Sequence, residues 1–383
     1  MNQKVTDLLA AKKPSKRGIH GTANCYSAAE YYRQQLEDFT ACGFSWLKLL
    51  VAGDSGLNTV KMLARMAPKI IPVVRFWYGP NPYPNASLAP DLVKPYVDAG
   101  VVLFDIVNES YNEWSGGSYD THAQVDEWAS MASSVLNAGG VPLTPSIEGW
   151  HFYDIFLPFL DDAWNRHADL VKASCIAGHW RTLNHPVLYD KDPGGYRGWE
   201  WFDKAVFEKT GEHLPLIGTE AGPEPGDNQD KTFPLVTPQR HEQMVKEMLT
   251  YPTPAHYLAD CLWLWEDGGT FNGASYVRNR QWANGLSLPV VDTLKTWQPD
   301  IPPSETTLED TIVAAVRQRV GYDSYPWLTK VAARRGYIKE PLTGEFKVDY
   351  GSKVYLVRAF GNVALYCPDG EWTDEKTMEV KWL

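Results

Sequence analysis

The chain has 383 residues, with 36 Lys plus Arg against 47 Asp plus Glu and a formal net charge of −11, a balance that repels phosphate backbones and speaks against nucleic-acid binding. Hydrophobic residues make up 44% and charged residues 22%, which excludes wholesale disorder and any collagenous or coiled-coil architecture. The 16 Trp, 20 Tyr and 13 Phe are a large stock of flat side chains, suited either to a core or to stacking on the apolar faces of a ligand.

In chain order, Met1 to Arg17 is polar and basic, with only the short apolar stretch Leu8 to Ala11. It lacks the hydrophobic region and cleavage site of an export signal, and no later apolar run reaches the length of a membrane span. The expectation is a soluble chain, cytoplasmic by default, with extracellular or phage-associated release as the other route. Eight short apolar runs then alternate with amphipathic stretches: GIHG at Gly18 to Gly21, SWLKLLV from Ser45, KIIPVVRFWY from Lys69, VVLFDIVNES from Val101, VPLTPSIEG from Val141, LVKASCIAGHW from Leu170, LPLIGTEAG from Leu214 and LADCLWLWED from Leu258. Unbroken apolar runs of this length are what strands buried on both faces require.

The first intervening helix is predicted with Ser27 as its cap, Glu30 closing a capping box and Gly43 just past its end. Further helices are predicted over Asp120 to Asn137, Tyr153 to Arg166, Trp199 to Lys209 and Pro238 to Thr250. Strand and helix repeating in about 280 residues predict an α/β fold, a (β/α)8 barrel. No G-x-G-x-x-G or phosphate-loop pattern supports the open doubly wound alternative.

The run QPDIPPSET, from Gln298 to Thr306, reads as a linker and divides the chain into a barrel over 1–300 and a small α+β accessory domain over 301–383. The second part is predicted to open with helices at Leu308 to Val320 and Tyr325 to Arg335. Strands should follow at Lys353 to Phe360, Asn362 to Tyr366 and Met378 to Trp382. Its Tyr350, Tyr355, Tyr366 and Trp372 serve either as stacking surfaces or as the core of so small a domain. The five Cys, at 25, 42, 175, 261 and 367, form no Cys-x-x-Cys pair, and their odd number leaves at least one thiol unpaired.

In such a barrel the chemistry sits at the C-terminal ends of the strands. Those ends carry His20, Lys48, Arg75 with Trp77 and Tyr78, Asn108 with Glu109, Glu148 with Trp150, His179 with Trp180, Glu220, and Trp265 with Glu266. Ionisable groups at the mouth of apolar strands are costly unless paired or used. Glycoside hydrolysis needs two carboxyl groups flanking the scissile bond, and Glu109 and Glu220, after the fourth and seventh strands, face each other across the mouth. The bland reading of the pair is a structural ion network with Lys48 or Arg75. Glu148 is the rival carboxylate, placed to bind a sugar hydroxyl, to tune its neighbour or to replace Glu220. No metal or cofactor is predicted, since neither His-x-His nor His-Glu-x-x-His occurs, and the absence of a G-x-S-x-G elbow speaks against a serine nucleophile.

Asn108-Glu109 in FDIVNES and Glu220 in LIGTEAG resemble the pattern of the clan A glycoside hydrolases, retaining TIM-barrel glycosidases of the cellulase, mannanase and xylosidase kind, over residues 18 to 297. The resemblance implies that Glu109 is the acid/base, Glu220 the nucleophile and Asn108 the partner of the sugar 2-hydroxyl. It likewise implies that His179 hydrogen-bonds near the nucleophile and that Trp265 is the aromatic platform ending the eighth strand. Ser110 stands where many members have Pro, and Trp180 follows His179 without the usual His-x-Tyr spacing. His20, Arg75, Trp77, Glu148, Trp150, Trp180 and Glu266 complete the expected substrate-binding set. The expected function is retaining hydrolysis of a poly- or oligosaccharide. The alternatives are a carbohydrate-binding barrel without turnover, such as a phage or surface adhesin, and a cell-wall glycan lysin with the same chemistry.

Overall fold

The computed structural model describes residues 2–77, 90–113, 120–297, 312, 346–350, 353–360, 363–369 and 376–381. The chain divides into two compact units, Met1–Pro299 and Asp300–Leu383. In the first, strands β1 (Arg17–His20), β2 (Trp46–Val51), β3 (Ile71–Phe76) and β4 (Leu103–Asp105) pair side by side in parallel. The series continues through β5, in two segments (Val141–Pro142 and Ile147–Glu148), then β6 (Ile176–His179), β7 (Leu216–Ala221) and β8 (Tyr257–Leu262). β8 pairs back onto β1.

The interruption of β5 falls on Leu143 to Ser146, where Pro145 has no N–H to give to a ladder. Isolated bridges carry the ring across it: Leu143 pairs with Cys175, Asn108 pairs with Ser146, and the Ser146 N–H donates to Val107 O at 2.8 Å. The sheet is therefore a closed (β/α)8 barrel, as the alternation of strands and helices predicts.

Alternate residues along each strand sort to opposite sides of the wall. Trp46, Ile71, Val73, Leu103, Val141, Ala177, Ile217, Ala259 and Cys261 fill the lower barrel interior. Leu47, Leu49, Val51, Val74, Phe76, Phe104 and Leu216 face outward into the layer shared with the helices. Each such burial contributes about 1.5–3 kcal/mol, which makes this layer the main source of stability.

Several element boundaries differ from the sequence expectation. The N-terminal segment contains a helix, α1 (Gln3–Lys12), capped by the Asn2 side chain. It inserts Val5 into the barrel-floor cluster while leaving most of its residues outside, so its composition reads as polar. Helix α2 (Ala29–Ala41) begins at Ala28 without a side-chain cap, and Glu30 pairs with Arg33 rather than closing a box on Ser27. Gly43 does adopt the left-handed conformation past its end, at φ 71°. Helix α7 (Leu157–Ala173) absorbs the first residues of the run from Leu170, so β6 begins only at Ile176.

The second unit contains an antiparallel sheet, β9 (Phe346–Tyr350), β10 (Lys353–Phe360), β11 (Val363–Pro368) and β12 (Met378–Lys381), in that order. Its first strand was not predicted. Tyr355 and Tyr366 are buried with ring centroids 6.3 Å apart, so they supply core rather than a stacking surface. The predicted helices at 308–320 and 325–335 lie outside the described residues apart from Ile312, as does Trp372.

Candidate active site

Glu109 and Glu220 meet at the C-terminal mouth of the barrel with His179 between them. His179 Nδ1 lies 2.6 Å from Glu109 Oε1, and its Nε2 lies 3.8 Å from Glu220 Oε1. One oxygen of each carboxylate lies within 4.8 Å of the other. Two local backbone features aim these side chains. Glu109 has φ 37°, in the left-handed region that a side-chain-bearing residue adopts at a cost of order 1–3 kcal/mol, and its N–H is held by Ser146 O at 3.0 Å. Glu220 follows a register irregularity between Gly218 and Ala221 in β7. A bulge of that kind re-aims one side chain, so Thr219 and Glu220 both point inward: Thr219 Oγ1 donates to Ser146 Oγ at 3.0 Å, and Glu220 meets the cations of the mouth.

Those cations surround Glu220 closely. Arg181 Nη2 donates to its Oε2 at 2.7 Å, while Arg75 Nη1 and Lys48 Nζ approach its Oε1 at 3.4 and 3.5 Å. Burial pushes this carboxyl up, but His179, Lys48, Arg181 and His20 together pull harder and hold it well below the usual range. Glu220 is therefore held as the carboxylate at neutral pH. Glu109 is also pushed up by burial and pulled down further by the His179 ring, so its carboxyl sits below the ordinary value. Glu148 behaves oppositely: burial first, and the nearby charge of Glu109 second, push it up to about 7. Its oxygens face Tyr111 OH at 3.3 Å and Arg181 Nε at 3.7 Å. His20 is fully buried with both ring nitrogens unpaired, its ring 4.6 Å from that of Trp263, and burial followed by Lys48 holds it well below the ordinary imidazole value.

The remaining predicted residues divide. Asn108 is buried, donating to Glu113 Oε1 at 3.1 Å and accepting from Lys48 Nζ at 3.4 Å. Arg75 is locked between Glu113 and Glu220 with its guanidinium 5.8 Å above the half-buried Trp77 ring, so it orients carboxylates. Trp150 is 39% exposed and, with Glu148 and Arg181, lines a cleft of about 770 Å³ that continues along Glu224, Asp227 and Phe271. The loop Trp265 to Tyr276 thus shapes this cleft through Thr270, Phe271, Gly273 and Ala274.

Three expectations are corrected. Trp180 does not face substrate: it is fully buried among the outer core, and its ring fills the space that a Cβ on Gly178 or Gly218 would occupy. As the residue next to the inward-facing His179, it points to the opposite side of the strand. Trp265 is not the platform either, being fully buried against Phe39 and Phe44 with its Nε1 donating to Gln35 Oε1 at 3.0 Å. The ring that reaches the site is Trp263, which carries the Arg181 guanidinium at 5.3 Å and precedes a cis peptide bond. Glu266 is engaged with Tyr31 OH at 3.0 Å and Arg278 Nη1 at 2.6 Å, so it ties loops together. Tyr78 lies outside the described residues.

Sequence reasoning missed Arg181, Glu113 and Asp105. Arg181 stands two residues past His179 and bridges Gly222, so the alternation that excludes Trp180 selects it. Glu113 is one helical turn past Glu109, on the short helix α5 (Ser110–Glu113). Asp105, two residues before Val107, pairs with Lys48 at 2.9 Å beneath the site, both fully buried. Glu109, His179 and Glu220 also stand close enough to ligate one cation, a convergence no sequence spacing announced. Lys48, Arg75 and Arg181 around Glu220 already supply the positive charge such an ion would bring, and they oppose its entry.

No protein-family model matches the chain, and no curated protein does. Among solved structures it resembles glycoside hydrolases. A family 39 glycoside hydrolase from Bacteroides cellulosilyticus WH2 is 12% identical, over 92% of this chain and 71% of that one, with a TM-score of 0.48. The mannanase catalytic domain from Streptomyces sp. SirexAA-E is 16% identical over 74% and 84%, at 0.45. A fungal beta-1,4-galactanase is 10% identical over 73% and 99%, at 0.49. At identities of 10–16% and TM-scores under 0.5, none of these assigns a substrate or a residue role to this chain.

Proposed function

We propose that this chain is a retaining glycoside hydrolase acting on a poly- or oligosaccharide. The observation that carries the reading is the pair of carboxylates within 4.8 Å, one of them held ionised by Lys48, Arg75 and Arg181. That bound falls short of the roughly 6.5–9.5 Å of inverting enzymes and fits the roughly 5–5.5 Å of double displacement. Glu220 attacks the anomeric carbon, the bond to the leaving oxygen breaks, and that oxygen takes a proton from the carboxyl of Glu109. Water then attacks the glycosyl-enzyme, Glu109 accepts its proton, and Glu220 is released. The exposed rings of Trp150 and Phe271 in the adjoining cleft suit the apolar faces of sugars.

A second assignment of the acid has its own support: Glu148 is the carboxyl pushed up to about 7, where a proton donor is best poised. Both assignments are tested by one experiment with activated aryl glycosides and azide. Glu220→Ala is expected to lose turnover and to regain it with azide as a glycosyl azide of inverted configuration. The acid variant, Glu109→Ala or Glu148→Ala, is expected to keep activity on substrates with good leaving groups and to give an azide of retained configuration. Whichever of the two behaves this way is the acid. Wild-type inactivity on every glycan, with binding unchanged in Glu220→Ala, would replace the reading with that of a carbohydrate-binding barrel.

A further inference from the structure

A second cluster of ligating groups lies at the opposite end of the barrel wall. Asp203, on helix α8 (Gly198–Thr210), has its Oδ1 2.9 Å from His213 Nδ1 and 3.1 Å from His256 Nε2. One ligand atom from each of the three lies within 4.8 Å of the others. His213 follows the left-handed Gly211 (φ 76°) that ends α8, a turn that folds its ring onto Phe207 at 4.5 Å between centroids. His256 immediately precedes β8, and its carbonyl accepts from Leu216 N–H at 2.9 Å, so its backbone is fixed to the start of β7. The two imidazoles stack at 4.7 Å with their planes 24° apart. Both rings thus present a nitrogen edge to one carboxylate oxygen, at the N-terminal ends of β7 and β8 and away from the catalytic mouth.

We propose that Asp203, His213 and His256 form a binding site for a divalent first-row transition cation, with Zn2+ as its natural probe. Two nitrogens and one carboxylate oxygen are a donor set such ions take, and bond lengths of 2.0–2.1 Å in a tetrahedron put ligand atoms about 3.3 Å apart. The two Asp203 edges, 2.9 and 3.1 Å, open by a few tenths of an ångström, and the two imidazole nitrogens, within 4.8 Å of each other, close onto the ion. Asp203 supplies the one anionic donor, already in contact with both imidazoles. Metal binding requires the ring nitrogen that faces Asp203 to carry no proton, so any proton there passes to the other ring nitrogen or to solvent and the freed lone pair takes the metal. The His213 side chain is 49% exposed, which gives the ion a route in and leaves the fourth position to water. All five thiols are buried, so none competes from the surface. The bound ion would staple α8, the α8–β7 loop and the start of β8.

The test is a Zn2+ titration of the chelator-treated full chain by equilibrium dialysis, with Co2+ absorption reporting geometry and thermal unfolding reporting stability. One Zn2+ per chain is expected, with a Kd no weaker than about 10 μM and a Tm rise of a few degrees at saturation. His213→Ala and the isosteric Asp203→Asn are each expected to weaken binding at least tenfold, with circular dichroism unchanged. Absence of binding at that concentration overturns the proposal. So does binding that survives both variants, which would place the ion elsewhere, the Glu109, His179 and Glu220 cluster included.

Discussion

Glu148→Gln offers a direct test of the electrostatics at the mouth. Glu148 is 7% exposed, and burial together with the charge of Glu109 moves its ionisation from 4.5 to about 7. Between those pH values the folded chain keeps a proton on this group that the unfolded chain has released, so stability falls as pH rises through the window and levels off above 7. The 2.5 pH units, at 1.36 kcal/mol each, amount to about 3 kcal/mol lost by the wild type between pH 4.5 and pH 8 through this group. Glutamine keeps the acceptor for Tyr111 but cannot ionise, so the variant does not suffer that loss. Urea unfolding at the two pH values is expected to give a wild-type-minus-variant difference that changes by about 3 kcal/mol, with the variant the more stable at pH 8. In a Glu109→Gln background the step should shrink, because the second cause of the shift is gone. A difference constant to within about 0.5 kcal/mol across the range would refute the reasoning, since burial and like charge would then not be raising this carboxyl.

Other consequences are equally direct. Lys48→Ala leaves Asp105 buried without the partner now 2.9 Å away and is expected to cost about 3–5 kcal/mol in urea unfolding; Lys48→Met with Asp105→Leu should recover most of it. Trp180→Ala is expected to cost about 3–5 kcal/mol of stability with KM unchanged on any glycan turned over. Trp150→Ala, at an exposed position in the cleft, should change stability by less than about 0.5 kcal/mol and raise KM several-fold. Gly178→Ala places a Cβ 2.2 Å from Trp180 Cη2 and should destabilise by about 1–3 kcal/mol or more. Combining it with Trp180→Phe should cost less than the two changes added together, a coupling that thermal unfolding of the four proteins would read.

The barrel was legible because its strands are buried on both faces, so Ser45 to Val51 and Leu214 to Ala221 stand out as apolar runs against the amphipathic helices. What runs of this kind conceal is which side of the wall each residue takes. Strict alternation would have rejected Trp180 and selected Arg181 from the two residues after His179, because His179 already faces inward. Yet alternation also fails at the most important position. Counting from Thr219, which faces inward, Glu220 should point out; the irregularity between Gly218 and Ala221 turns it into the ring of Lys48, Arg75 and Arg181. Glu109 is likewise aimed by a left-handed backbone conformation that nothing in the sequence FDIVNES announces. Each carboxylate is thus aimed by a departure from regular strand geometry, at a local energetic cost that the closed barrel and its hydrogen bonds absorb. Long-range convergence is hidden for a simpler reason: Asp203, His213 and His256 have no ligand-like spacing, and only the adjacency of β7 and β8 brings the last of them back to the first.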